Sequence, residues 1–233
     1  PNDIAPKLFI PSKEGSLQLE MVSATRQFGF LPYSDRGTLS SIMSLVKDDI
    51  PVIVFQNLSI QLLPQWHYAV VIGFDSDKGT VTLHTGLTPN HEMSLELFER
   101  TWGRGNYWYL APVPPNATSP EMTPFTYVSA AYDMLKVGDK ARSLAFLKTA
   151  SHTWPTYWLS YFLVANYYLE QNDSQAVAWF KKGYEVGQNQ HVYVHNYVLA
   201  LRENNMPEKA NIILKQGLER FPDNEALLTL AEK

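Results

Sequence analysis

The sequence predicts two parts of different kind: an α+β part with a largely antiparallel sheet over residues 1–111, and an all-α part over residues 125–233. Three observations predict this. Residues 112–124, PVPPNATSPEMTP, hold five prolines, which neither a helix nor a central strand can run through, so they are expected to be an extended linker. Ahead of them, short runs rich in β-branched and aromatic residues alternate with short amphipathic stretches. Behind them, a helical pattern returns at offsets of 33 and 34 residues.

The elements of the first part follow in order. In residues 16–28, Leu17, Met21, Ala24 and Phe28 stand at helical spacing, and Gly29 supplies a stop. Residues 38–48 repeat the pattern with Leu39, Ile42 and Val46 behind Thr38 as cap. PVIVFQN (51–57), HYAVVIGFD (67–75) and GTVTLHT (79–85) read as strands, the last two joined by a Ser-Asp-Lys-Gly turn. A short helix is expected at 94–101, with Leu95, Phe98 and Trp102 on one side, and a last strand at 107–113. The order is helix, helix, three strands, helix, strand, which defines an α+β architecture.

In the second part, Ala176, Phe180 and Gly183 recur as Ala210, Leu214 and Gly217, and earlier as Ser143, Leu147 and Ala150. Turns stand in register ahead of each copy, at Gly138-Asp139, Asn172-Asp173 and Asn204-Asn205. A 34-residue helix–turn–helix period with small–x3–large–x2–small in the second helix resembles the tetratricopeptide repeat. It departs where Ser143 replaces the usual Ala and Gln188 the usual Pro. Three repeats are expected, with residues 225–232 as a cap. The resemblance implies a concave groove lined by the first helix of each pair. That register places Phe125, Tyr132, Trp158, Tyr161, Tyr168, His195 and Arg202 on the groove face, a largely aromatic surface suited to an apolar or extended peptide. The alternative is that several of these aromatics pack against the N-terminal part, which would use the groove up. The subclass that clamps a C-terminal carboxylate with Lys and Asn does not fit Val128, Ser129, Tyr132 and Phe162.

Composition excludes several classes. With 45% hydrophobic and 18% charged residues the chain has a globular balance, and a net charge of −4 gives no basic footprint for nucleic acid. No apolar run approaches a membrane span. No cysteine occurs, so disulfides, Cys-ligated metals and a cysteine nucleophile within these 233 residues are excluded. His191 and His195 are i and i+4 but lack a third ligand, so no metal or other cofactor is expected.

The stretch 51–85 carries the chemistry. His67 opens an internal strand, where it is either placed to meet a nucleophile across the sheet edge or is a core histidine bonded to a backbone group. The run Pro51 to Asp75 resembles the papain-like peptidases of the bacteriocin-processing, double-glycine leader type, whose pattern is a strand ending near Asn, His-aromatic-x-Val-Val-x-Gly-x-Asp, a hairpin, then an acidic residue at the end of the next strand. Leu97 to Trp102 with the Tyr/Trp-rich strand after it, and Gly15 to Met21, are similar to a lipoprotein-like branch that carries tetratricopeptide repeats. The resemblance implies a papain-like fold, a cysteine nucleophile activated by His67, and a third member at Thr85, where Asp or Asn is usual. His84 is a weaker substitute for Thr85. The implied nucleophile and its Gln are expected before residue 1. Two functions follow: hydrolysis of a peptide bond, with the repeats holding substrate or partner protein, or a non-catalytic adaptor of the same architecture. Location in the bacterial cell envelope or periplasm is implied by the resemblance alone.

Overall fold

A computed structural model describes residues 17–60 and 62–232. The chain divides into two compact units, residues 1–134 and 135–233.

The first unit is built on a six-stranded, wholly antiparallel sheet. Its elements are α1 (Gln18–Gln27), β1 (Leu31–Arg36), α2 (Leu39–Lys47), β2 (Val52–Asn57), β3 (Trp66–Asp75), β4 (Thr80–Thr85), β5 (Thr88–Ser94), α3 (Leu95–Arg104) and β6 (Trp108–Val113), followed by α4 (Pro124–Lys136), whose last residues pass the division. The strand order is β1-β6-β2-β3-β4-β5. The sheet and the helices expected from the sequence are present, and α1 stops at Gly29, whose φ of 86° suits only glycine comfortably. Thr38 caps α2 through its side chain in a reciprocal box with Ser41. The expectation for Ser16 and Gly15 lies outside the described residues.

Two strands, β1 and β5, go beyond the sequence-based expectation. Both are edge strands. β1 (LPYSDR) carries Pro32 opposite Pro112 of β6, and an edge tolerates the missing amide donor. β5 (TPNHEMS) is largely exposed and lacks apolar alternation. A strand that buries neither face leaves no periodic hydrophobic signal.

The pleat sorts the sheet into two faces. Val52, Val54 and Gln56 of β2 stand opposite Val71, Ala69 and His67 of β3. These share a face with Leu83 and Thr85 of β4. Helices α2 and α3 pack against this face, burying Ile42, Leu45, Phe98 and Trp102. The other face carries a row of aromatic rings: Trp66 stacks on Phe55 at 4.9 Å, Phe55 meets Tyr68 at 4.8 Å, and Tyr68 meets Trp108 edge-on at 6.0 Å. Burial, with the Glu20 carboxylate of α1 nearby, pushes the Tyr68 phenol up to about 12.

The proline-rich segment begins inside β6 and is tied down within the first unit. The Thr123 amide donates to the Tyr33 hydroxyl at 3.0 Å, the Tyr127 hydroxyl donates to the Ala117 carbonyl at 3.3 Å, and Ser119 and Met122 are buried. Prolines supply no amide donors, so side chains of β1 and α4 take part in fastening the segment.

The second unit holds α5 (Lys140–Thr153), α6 (Trp158–Glu170), α7 (Gln175–Gly187), α8 (His191–Glu203), α9 (Pro207–Arg220) and α10 (Glu225–Ala231). The repeated small and large positions Ser143, Leu147 and Ala150, then Ala176, Phe180 and Gly183, then Ala210, Leu214 and Gly217, are all buried. The turns use left-handed residues in register: Gly138 (φ 98°), Asn172 (φ 53°) and Asn205 (φ 56°). A Cβ on Gly183 would stand 2.5 Å from Tyr161 Cβ and from the Tyr193 hydroxyl, so the period requires its smallest residue there for close helix approach. The unit is an array of helix pairs compatible with tetratricopeptide-like repeats.

Candidate functional site

The sheet unit brings His67 and Thr85 together. β3 and β4 pair with Ala69 opposite Thr85, which sets His67 one step beyond on the same face. A 2.7 Å hydrogen bond joins His67 Nε2 to Thr85 Oγ1. Nδ1 carries no hydrogen bond among the described residues. Burial holds the His67 imidazole below its ordinary value of 6.5, so it is neutral at pH 7. In the tautomer whose Nε2–H donates to the Thr85 hydroxyl, Nδ1 is the lone-pair nitrogen that can take a proton. The threonine hydroxyl orients the ring without offsetting the charge of an imidazolium.

His84 is not part of this pair. It lies opposite Val70, on the other face of the sheet, and its Nδ1 accepts from the Asn90 amide at 3.2 Å. Asp75 sits at the far end of β3, where its carboxylate accepts from the Asp77 and Lys78 amides.

Sequence reasoning missed the polar residues behind His67. Gln56 stands directly opposite it, is buried, and donates through Nε2 to Thr101 Oγ1 at 2.8 Å. The Thr101 hydroxyl in turn donates to main-chain carbonyls of α3. Asn57, also buried, accepts from the Ser59 and Gln65 amides at 3.0 and 2.9 Å and so fixes both ends of the β2–β3 loop. Arg104 of α3 donates to the Ser59 carbonyl at 2.7 Å. Polar Gln-Asn at the end of an apolar strand was the available signal, because burial of such side chains requires partners.

The seven groove positions separate. Phe125 and Tyr132 lie on α4 in the first unit, both exposed. The other five lie on α6 and α8 in the second. Tyr161 is buried and donates to the Ser151 carbonyl at 2.9 Å, and Tyr168 is buried with its hydroxyl accepting from Lys148 Nζ at 3.0 Å. These two are buried within the helical unit itself, and a buried phenol bonded within the fold presents little surface to a ligand. Trp158, His195 and Arg202 remain half-exposed, although Arg202 donates to the Leu230 carbonyl at 2.8 Å. Between α6 and α8, Asn196 Nδ2 donates to Asn166 Oδ1 at 2.7 Å, and His195 Nδ1 contacts Asn196 Oδ1 at 2.8 Å. This polar row had no signal in the hydrophobic period. Among the described residues no cluster of three or more His, Asp or Glu side chains could hold a metal, and no helix is long and apolar enough to cross a membrane.

No family model matches this chain, and no curated protein matches it. Among solved structures, it is similar to the crystal structure of MamA protein, at 15% identity and a TM-score of 0.38. That similarity covers 42% of this chain and about half, 54%, of the other.

What fold and site together define is an α+β unit on an antiparallel sheet, carrying a neutral histidine oriented by threonine, and a unit of paired helices.

Proposed function

We propose that this chain binds a protein or peptide partner through its helical pairs, and that its sheet unit is cysteine-peptidase-like, with His67 as its proton acceptor. The supporting observation is the His67–Thr85 hydrogen bond, which orients a neutral imidazole and leaves Nδ1 without a bond among the described residues. In the hydrolytic reading, Nδ1 takes the proton of a thiol and returns it to the leaving amine. The thiol must come from outside these 233 residues, which contain no cysteine. We place the unit among papain-like folds and assign the protein to a bacterial cell envelope on the motifs of residues 15–102, and take the repeats to begin at Phe125, after the segment 112–124, on the 33- and 34-residue offsets that follow it.

The second reading, a non-catalytic adaptor, rests on the half-exposed Trp158, His195 and Asn196 of the helical unit alone and requires no thiol. In both readings the half-exposed Trp158, His195 and Asn196 contact the partner: the ring offers apolar area, and the amide and imidazole offer hydrogen bonds to an extended main chain.

The test is a pair of variants read in two assays. Peptide binding is followed by fluorescence polarisation against a panel of labelled extended peptides, and cleavage by mass spectrometry of the same peptides. Trp158→Ala is expected to weaken binding by about tenfold, as loss of an aromatic anchor does, with only a small drop in melting temperature from its edge contacts with Phe162 and Tyr193. His67→Ala is expected to leave binding intact. Because these 233 residues carry no thiol, cleavage is read on a form of the protein that includes a cysteine: cleavage that disappears in His67→Ala selects the peptidase, and binding by that form without cleavage selects the adaptor. Binding indifferent to Trp158 overturns the proposed surface.

A further inference from the structure

Two loops at the His67 end of the sheet present the two most exposed apolar side chains among the described residues of the first unit, Leu87 and Leu62, with Leu63 and Ile60 beside the second. The β2–β3 loop leads into His67. The β4–β5 turn follows Thr85, and the pairing of Ala69 with Thr85 puts both loops at the same end. In the first loop Leu62 is 90% exposed and Leu63 73%, with Ile60 exposed beside them and Trp66 at the base half-exposed at 51%. In the second, Leu87 is fully exposed. Gln61 lies outside the described residues.

These are not loose ends. The Asn57 side chain holds the Ser59 and Gln65 amides, the Leu58 amide donates to the Gln65 carbonyl at 2.9 Å, and Arg104 donates to the Ser59 carbonyl. A buried asparagine therefore fixes a loop whose apolar tips contribute nothing to the core. Exposed apolar area of this kind marks an interaction surface.

From this we propose that the β2–β3 loop and the β4–β5 turn form a membrane-surface docking edge, inserting Leu62, Leu63 and Leu87 into the headgroup–acyl boundary of a lipid bilayer. Three features select lipid over a protein partner. The tips stand out singly from two loops rather than lining a concavity, and a bilayer, unlike a folded partner or a bound peptide, needs no shape complementarity. Residues 50–74 and 79–91 contain no Asp, Glu, Lys or Arg, so nothing charged within either run resists insertion. Finally, Trp66 stands at the base of the tips and the cation Arg104 braces the loop from α3, an arrangement suited to the headgroup level and its phosphates. The inference stands apart from the catalytic question, since it uses neither a nucleophile nor the helical pairs.

The experiment is co-sedimentation of the whole chain with vesicles of phosphatidylcholine, and of phosphatidylcholine with phosphatidylglycerol, alongside Trp fluorescence. The parent is expected to partition to both, more strongly to the anionic vesicles because of Arg104, with a blue shift of emission that is lost in Trp66→Phe. The triple variant L62D/L63D/L87D is expected to lose at least about tenfold in partitioning while keeping its melting temperature, because all three side chains are already in water. A parent that fails to sediment with either vesicle overturns the proposal, as does equal partitioning of parent and triple variant. Binding of an uncharged apolar peptide that the triple variant abolishes, with no vesicle binding, also overturns it, in favour of a peptide surface.

Discussion

In the helical unit the buried small and large positions return one period later. Phe180 and Leu214 fill equivalent positions, and Gly183 and Gly217 let the neighbouring first helices approach against Tyr193 and Val194. In the sheet unit the contacts that matter are made once. His67 meets Thr85 across 18 residues, and Gln56 meets Thr101 across 45. Repetition spreads stability over equivalent interfaces, so a change in the array is felt first in the neighbouring helices. A cross-strand pair has no equivalent, and its loss removes the site while the fold survives. Substitutions in the two units are therefore expected to be read by different instruments.

The largest effect is expected from the array. Tyr193 is buried, its hydroxyl donates to the Phe180 carbonyl at 2.9 Å, and its ring lies against the positions of Gly183 and Gly187. Tyr193→Ala should cost about 3–5 kcal/mol, as truncation of a large buried aromatic does. Gly183→Ala should cost about 1–3 kcal/mol by overpacking, because its new methyl meets Tyr161 and Tyr193 with no room to move. Chemical denaturation measures both. If Gly183→Ala is neutral, the close approach of α6, α7 and α8 is wrong and the comparison with the sheet unit fails.

The same contrast governs what could be read from the sequence. The helical pairs were legible because Ala176, Phe180 and Gly183 return at a fixed offset, and because Gly138, Asn172 and Asn205 mark turns by their left-handed backbone. Strands β2, β3, β4 and β6 were legible from β-branched runs that must be buried. The pairing of His67 with Thr85 was reached only through a motif resemblance, since register is a long-range property. Gln56, Asn57 and Thr101 were not found, because a polar residue in a strand does not announce its partner. Tyr161 and Tyr168 were placed on the groove because helical spacing gives a face but not how deeply a neighbouring helix covers it.

An intermediate effect is expected at Asn57. Asn57→Ala leaves the Ser59 and Gln65 amides without their acceptor, which should cost about 1–3 kcal/mol if they stay dry and less if water reaches them. Amide hydrogen exchange separates the cases: both amides should lose protection while those of α6 to α9 keep theirs. Protection lost throughout would mean that Asn57 supports the whole fold rather than one loop.

The smallest effect, and the most specific, is electrostatic. His67 titrates below 6.5 because burial disfavours its cation and Thr85 offers no countercharge. Between that lowered midpoint and 6.5 the unfolded chain binds more protons than the folded one, so stability rises with pH through this window and falls on acidification. Thr85→Asp places a carboxylate where the hydroxyl was and should raise the His67 midpoint by about one unit or more. Once the folded midpoint passes 6.5 the sign reverses: the added stability is present below 6.5 and is lost as pH rises through the new midpoint. NMR titration of the His67 ring reads this directly, and His84, on the opposite face and bonded to Asn90, serves as the internal control. A midpoint that fails to move would show that position 85 does not govern the His67 imidazole, whereas a rise confined to His67 would show that one cross-strand pair sets the proton affinity of the site.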